Sequence, residues 1–117
     1  MDLILSIVRY QNLPPEQAQS VRLGAGGGSI GRNTDNDLVL PDPDRWVSGR
    51  HAKVRFHNGV FLLSDSSTNG TVINHASEPL TQGREIELHD GDELSIGAYD
   101  IRISLQGRQP QPESPFD

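Results

Sequence analysis

Four polar fragments stand at the ends of apolar runs in this chain: Gly31-Arg32, Ser48-Gly49-Arg50-His51, Ser67-Thr68-Asn69-Gly70 and Asn74. Between them they supply a guanidinium, hydroxyls, carboxamides and backbone N–H groups. Those are the donors needed to hold a phosphate ester attached to a peptide. Such an ester carries close to two negative charges and three acceptor oxygens. Arginine answers it with a planar fork that makes two parallel charge-assisted bonds. Arg32 follows Gly31 and precedes the turn-forming run Asn33-Thr34-Asp35-Asn36. A strand ending there would fix its backbone while its head enters the loop layer. The plainer alternative is a solvated surface arginine.

Ser48 and His51 form a Ser-x-x-His spacing ahead of an apolar alternation. One sharp reading makes them a nucleophile and its base, with Asp65 as a third member. The strand-nucleophile-helix elbow that such chemistry uses is missing, and closeness in sequence does not build a triad. The expectation is therefore that Ser48 Oγ donates to a ligand oxygen while His51 turns back to bond loop backbone. In the run Asp65 to Thr71, Asp and Ser suit turn backbone and Asn69-Gly70 suits positive φ. Two hydroxyls and an amide at Ser67, Thr68 and Asn69 exceed what a tight turn needs. The Asn69 carboxamide, both donor and acceptor, can clamp a peptide main chain. His51, His57, His75 and His89 lack ligand spacing, so no metal site and no cofactor are expected. Gly24 to Gly28 reads as a flexible connector rather than a phosphate loop, having no Gly-Lys-Ser/Thr end and no following helix.

The elements that must position these groups alternate with a period of two. Strand candidates are Leu3 to Arg9, Ser20 to Leu23, Ser29 to Arg32, Asp37 to Leu40, His51 to Phe56, Val60 to Ser64, Gly70 to Asn74, Asp92 to Ile96 and Tyr99 to Leu105. Asn58-Gly59 is a two-residue hairpin signal, and Asp90-Gly91 marks another tight turn. No stretch carries a helical apolar stripe, and Pro14 to Gln19 reads as a loop. This pattern predicts an all-β sandwich. The segment 106–117, rich in Gln, Pro and charge, is expected to be a disordered linker toward a larger protein, leaving 1–105 as one domain.

Composition narrows the function classes. The chain has 117 residues, 33% of them apolar, which suits one thin-cored domain. Cysteine is absent, which removes thiolate chemistry and fits a cytoplasmic protein. No apolar run approaches the roughly 20 residues of a membrane span. A formal charge of −6 argues against nucleic acid as partner. It leaves room for a single phosphate met by one recessed arginine.

The order Gly31-Arg32, Ser48-x-x-His51, Ser67-Thr68-Asn69-Gly70, Gly91-Asp92 and Ile96-Gly97 resembles the forkhead-associated (FHA) domain, from about Leu3 to Leu105. The resemblance implies an eleven-stranded β-sandwich whose loops at one end bind phosphothreonine peptides, and no enzyme. Carried over by position, Arg32 and Ser48 would contact the phosphate, Thr68 would assist, and Asn69 would bond the peptide backbone. Gly31, His51 and Gly70 would shape the loops. The position after the serine, often Arg or Asn in the family, is Gly49, so one peptide contact is missing unless Arg50 or Arg45 compensates. Trp46 is either a core or edge aromatic or a wall for peptide side chains. The stretch Leu40 to Ser48 also resembles the N-terminal FHA domains of bacterial type VI secretion scaffolds. That would imply a partner phosphorylated by a Ser/Thr kinase and a part in switching assembly. The alternative is a phosphate-independent interaction domain with a degenerate site.

Overall fold

Because apolar residues recur every second position, each long strand buries one face and wets the other. In the computed structural model, which describes residues 1–11, 13–14, 19–80 and 82–106, that alternation builds two sheets and no helix among the described residues. The strands are β1 (Asp2–Tyr10), β2 (Gln19–Leu23), β3 (Gly28–Gly31), β4 (Leu38–Val39), β5 (Ala52–His57), β6 (Val60–Asp65), β7 (Val72–Ile73), β8 (Glu85–Leu88), β9 (Glu93–Ile96) and β10 (Tyr99–Gln106). One sheet has the order β2-β1-β10-β9-β7, the other β4-β3-β5-β6-β8. Every pairing is antiparallel except β3 with β4, where Ile30 lies against Leu38 and Gly31 against Val39.

The all-β sandwich is the architecture the alternation predicted. Ten strands are described against the eleven implied; Thr71 and Leu80 pair only as an isolated bridge. Each run read as a strand overlaps one. The exception runs the other way: β8 has no counterpart in that reading, because its two apolar residues, Ile86 and Leu88, stand between exposed glutamates. In β1 the alternation breaks at Val8, and there the register with β10 shifts between Ile7 and Arg9, a bulge.

Leu3, Leu5, Leu94, Ile96, Ile101 and Ile103 of the first sheet face Ile30, Val54, Phe61, Leu63 and Leu88 of the second, all essentially inaccessible to solvent. Full burial of each large side chain contributes about 1.5–3 kcal/mol. Asn58 and Gly59 close the β5–β6 hairpin with φ of 51° and 85°, the pair of left-handed residues that a type I′ turn requires. Gly24 to Gly28 is more ordered than a flexible connector. Gly27 N–H donates to Gly24 O at 3.0 Å, and Gly28 opens β3. Apart from Gln106 at the end of β10, the proposed linker 106–117 lies outside the described residues, as does most of Pro14 to Gln19. No helix among the described residues is long and apolar enough to cross a membrane.

Candidate functional site

The ends of β3, β4, β6 and β9 and the start of β5 bring their loops together at one end of the sandwich. The longest, residues 40–51, joins β4 to β5 and is shaped by its own side chains. Asp42 accepts from the N–H groups of Asp44 (Oδ1, 3.1 Å) and Val47 (Oδ2, 2.8 Å), turning the chain so that Val47 is buried and Trp46 is outside. Arg32 N–H donates to Ser48 O at 3.0 Å, and Asn33 N–H to Gly49 O at 3.1 Å, locking the turn after β3 against this loop. The fit explains Gly31. A Cβ there would lie 2.3 Å from Gly49 O and 2.9 Å from Asn36 Nδ2.

The half-buried Arg32 uses Nε–H to donate to Val47 O at 3.1 Å. Its two terminal nitrogens have no protein acceptor among the described residues, so the fork is oriented and still open. Ser48 Oγ accepts the Thr68 N–H at 3.1 Å, which leaves the hydroxyl hydrogen free to donate. The Thr68 side chain is exposed beside it. Asn69 Nδ2 donates to Trp46 O at 2.9 Å, leaving its carbonyl oxygen and second N–H open. The structure therefore brings together Arg32, Ser48, Thr68 and Asn69 from loops that are up to 37 positions apart in sequence, 69 minus 32.

His51 lies beneath them, fully buried. Its Nδ1 accepts the Ser48 backbone N–H at 3.0 Å, so the proton sits on Nε2, which donates to Gly70 O at 2.8 Å. Burial pushes its pKa below the ordinary value, against the opposing pull of the Gly70 carbonyl and the Asp65 charge. With both ring nitrogens engaged by backbone, no Ser48–His51 relay is assembled. Asp65 Oδ1 instead accepts the Ser67 N–H. Ser67, buried, accepts from Gly70 N–H at 2.7 Å and is a turn-former rather than a ligand donor. Gly70 has φ 88°; Asn69 is not left-handed, so Gly70 alone supplies the turn's positive φ.

Three further positions border the site. Arg50 is exposed but paired with Asp35 of the turn after β3, so its head is tethered within the protein. Trp46, 61% exposed, is not a core residue; it walls an open depression of about 560 Å³ shared with Asn69, Val72, Gly97 and Ala98. Gly49 is covered by Asn33, whose Nδ2 and Oδ1 lie 2.8 and 2.9 Å from where a Cβ would be. Asn74, with φ 52°, belongs to the turn after β7 at the opposite end. Sequence reasoning missed Asn36, buried, with Nδ2 donating to Asn33 O (2.8 Å) and Gly49 O (2.7 Å). It also missed Asp42, although Asp-Pro-Asp is a local signal for a side-chain-to-backbone turn. Among the described residues no three His, Cys, Asp or Glu side chains are grouped to hold a metal ion.

Residues 28–97 match the family model of the FHA domain. The chain is 38% identical over 88 residues to FHA domain-containing protein FhaA of Mycobacterium tuberculosis, covering 74% of this chain and 15% of that protein. It is 40% identical over 72 residues to the glycogen accumulation regulator GarA of Mycolicibacterium smegmatis, covering 61% and 41%. The chain thus spans less than half of either relative. A solved structure from a structural and functional analysis of phosphothreonine-dependent FHA domain interactions superposes with TM-score 0.73 at 32% identity, covering 92% of this chain and 99% of that one. The FhaA FHA domain complexed with the intracellular domain of Rv3910 gives 0.69 at 34%, covering 86% and 98%. The matched span runs from the first residue of β3 to the turn after β9 and takes in Arg32, Ser48, Thr68 and Asn69; the chain belongs to the FHA domain family.

Proposed function

We propose that this chain is a phosphothreonine-peptide recognition module that docks a partner phosphorylated by a Ser/Thr kinase. The observation that carries the reading is the oriented, open guanidinium of Arg32 beside the free hydroxyl hydrogen of Ser48. Thr68 completes the phosphate cradle, and Asn69 bonds the peptide main chain. A small pocket for the threonine γ-methyl adds about 0.8 kcal/mol, so rejection of phosphoserine also draws on the stiffer threonine rotamer. Micromolar affinity, about −8 kcal/mol, suits so short a ligand. The chain's acidity disfavours acidic flanks, so the preferred peptides have neutral or basic ones.

Because kinases draw on cytoplasmic ATP, the encounter takes place in the cytoplasm. The protein acts there as a signalling adaptor, with no nucleic acid bound and no membrane insertion. The narrower role, regulating a bacterial type VI secretion scaffold, is supported by the sequence of Leu40 to Ser48 alone. Neither FhaA nor GarA is described in those terms.

Titration of a degenerate phosphothreonine peptide library against wild type and Arg32→Ala tests the reading. Removing one partner of a hydrogen-bonded charge pair costs about 2–5 kcal/mol, so Arg32→Ala weakens binding by at least about 30-fold while remaining folded. Equal binding of unphosphorylated peptides would identify a phosphate-independent interaction domain. Turnover abolished by Ser48→Ala would identify a hydrolase.

A further inference from the structure

The segment 46–49 is the central strip of the site, and it is held from two sides. On one side Asn69 Nδ2 donates to Trp46 O at 2.9 Å and Thr68 N–H to Ser48 Oγ at 3.1 Å. On the other, Arg32 N–H donates to Ser48 O at 3.0 Å and Asn33 N–H to Gly49 O at 3.1 Å. A carboxamide therefore stands at each end of the strip, Asn69 at Trp46 and Asn33 at Gly49. The guanidinium and the Ser48 hydroxyl belong to the stretch between them. Three residue steps span at most roughly 10 Å, a distance that an extended peptide also covers in about three residues.

The Asn33 carboxamide lies over Gly49, with Nδ2 and Oδ1 at 2.8 and 2.9 Å from the place a Cβ would occupy. Only a glycine leaves it that room. Asn33 is exposed, and its side chain makes no hydrogen bond among the described residues. The other asparagine of the same turn, Asn36, is buried and spends its donors on Asn33 O and Gly49 O. Asn33 thus offers an unengaged donor and acceptor on a backbone pinned next to Arg32.

Resting on the phosphopeptide reading above, we propose that Asn33 is a second clamp on the peptide. Its carboxamide bonds the peptide main chain on the side of the phosphothreonine away from Asn69. Gly49 is then not a missing contact. It is the vacancy that lets a neighbouring loop supply one.

The test titrates wild type, Asn33→Ala and Asn69→Ala with an end-blocked phosphothreonine peptide selected by wild type from a degenerate library. The same peptide shortened from either end is titrated alongside. Asn33→Ala weakens binding of the full peptide about three- to tenfold, as for loss of one hydrogen-bonded contact, and leaves the melting midpoint unchanged. Shortening one end makes Asn33→Ala silent, and shortening the other makes Asn69→Ala silent. Adding Gly49→Asn to Asn33→Gly, which moves the carboxamide to the adjacent backbone, regains affinity. Unchanged affinity in Asn33→Ala overturns the proposal, as does a loss that persists whichever end is removed. Full binding by a folded Arg32→Ala would instead overturn the phosphopeptide reading, so the two failures are distinguishable.

Discussion

The site loops and the β5–β6 hairpin at the opposite end of the sandwich are built by different means. In the hairpin the chain reverses in a tight turn whose geometry is local, Asn58-Gly59 with φ of 51° and 85°. At the site end the chain is held by side chains reaching across loops. His51 bonds Ser48 and Gly70, Asn36 bonds Gly49, and Asn69 bonds Trp46. A tight turn satisfies its own backbone and presents little. A loop tied down by distant side chains can be long, keep a fixed shape and still offer unengaged groups to a ligand. The groups proposed to meet the peptide stand on loops held in this second way.

That contrast is easiest to break at His51. His51→Ala removes two hydrogen bonds and a fully buried ring, and is expected to cost about 3 kcal/mol in denaturant unfolding. Asn58→Ala in the far hairpin, where only a left-handed backbone is strained, costs about 1 kcal/mol. If the two variants unfold at the same denaturant concentration, the site loops and the hairpin do not differ as described.

Two glycines sharpen the comparison. Gly59 and Gly97 both have positive φ, 85° and 57°. A Cβ on Gly59 meets nothing within 4 Å, whereas one on Gly97 would lie 2.9 Å from Val47 Cγ2, beneath the loop that carries Trp46 and Ser48. Gly59→Ala is expected to cost about 1 kcal/mol and leave peptide affinity unchanged. Gly97→Ala costs about 2 kcal/mol and also weakens binding, because Val47 must move. Paired melting and peptide titrations check both outcomes.

A smaller effect follows from the neutral His51 ring. Its folded pKa lies below the ordinary 6.5, so just below that pH the unfolded chain binds more protons than the folded one. Its contribution to stability is complete above about pH 6.5 and falls as the pH drops toward the folded pKa. His51→Gln should flatten this part of the stability–pH curve. The least effect is expected on the outer face of the second sheet, where Arg55 pairs with Glu85 in the open. Arg55→Gln should leave both the unfolding midpoint and peptide affinity unchanged within error.

How much was legible in the sequence divides along the same line. The hairpin at Asn58-Gly59 and the inward faces of β5 and β10 follow from spacing alone, since each is decided within a few residues. The histidine's turn toward loop backbone was also readable, because Ser48 lies only three positions away. The cover of Gly49 by Asn33 and the tether of Arg50 to Asp35 were not; those partners are 16 and 15 positions apart. Only the folded sheets bring them together. β8 escaped notice because an edge strand with one wet face needs few apolar residues, and Ile86 and Leu88 are too few to declare it.

The most direct test compares the two ends in one experiment. Backbone amide resonances of the chain are followed by NMR while a phosphothreonine peptide, and then its dephosphorylated form, is added. The account predicts that Arg32, Asn33, Ser48, Gly49, Thr68 and Asn69 shift with the phosphorylated peptide alone, while His57 to Val60 and His89 to Asp92 stay in place. Equal shifts with the dephosphorylated peptide, or shifts centred on the far turns, would contradict it.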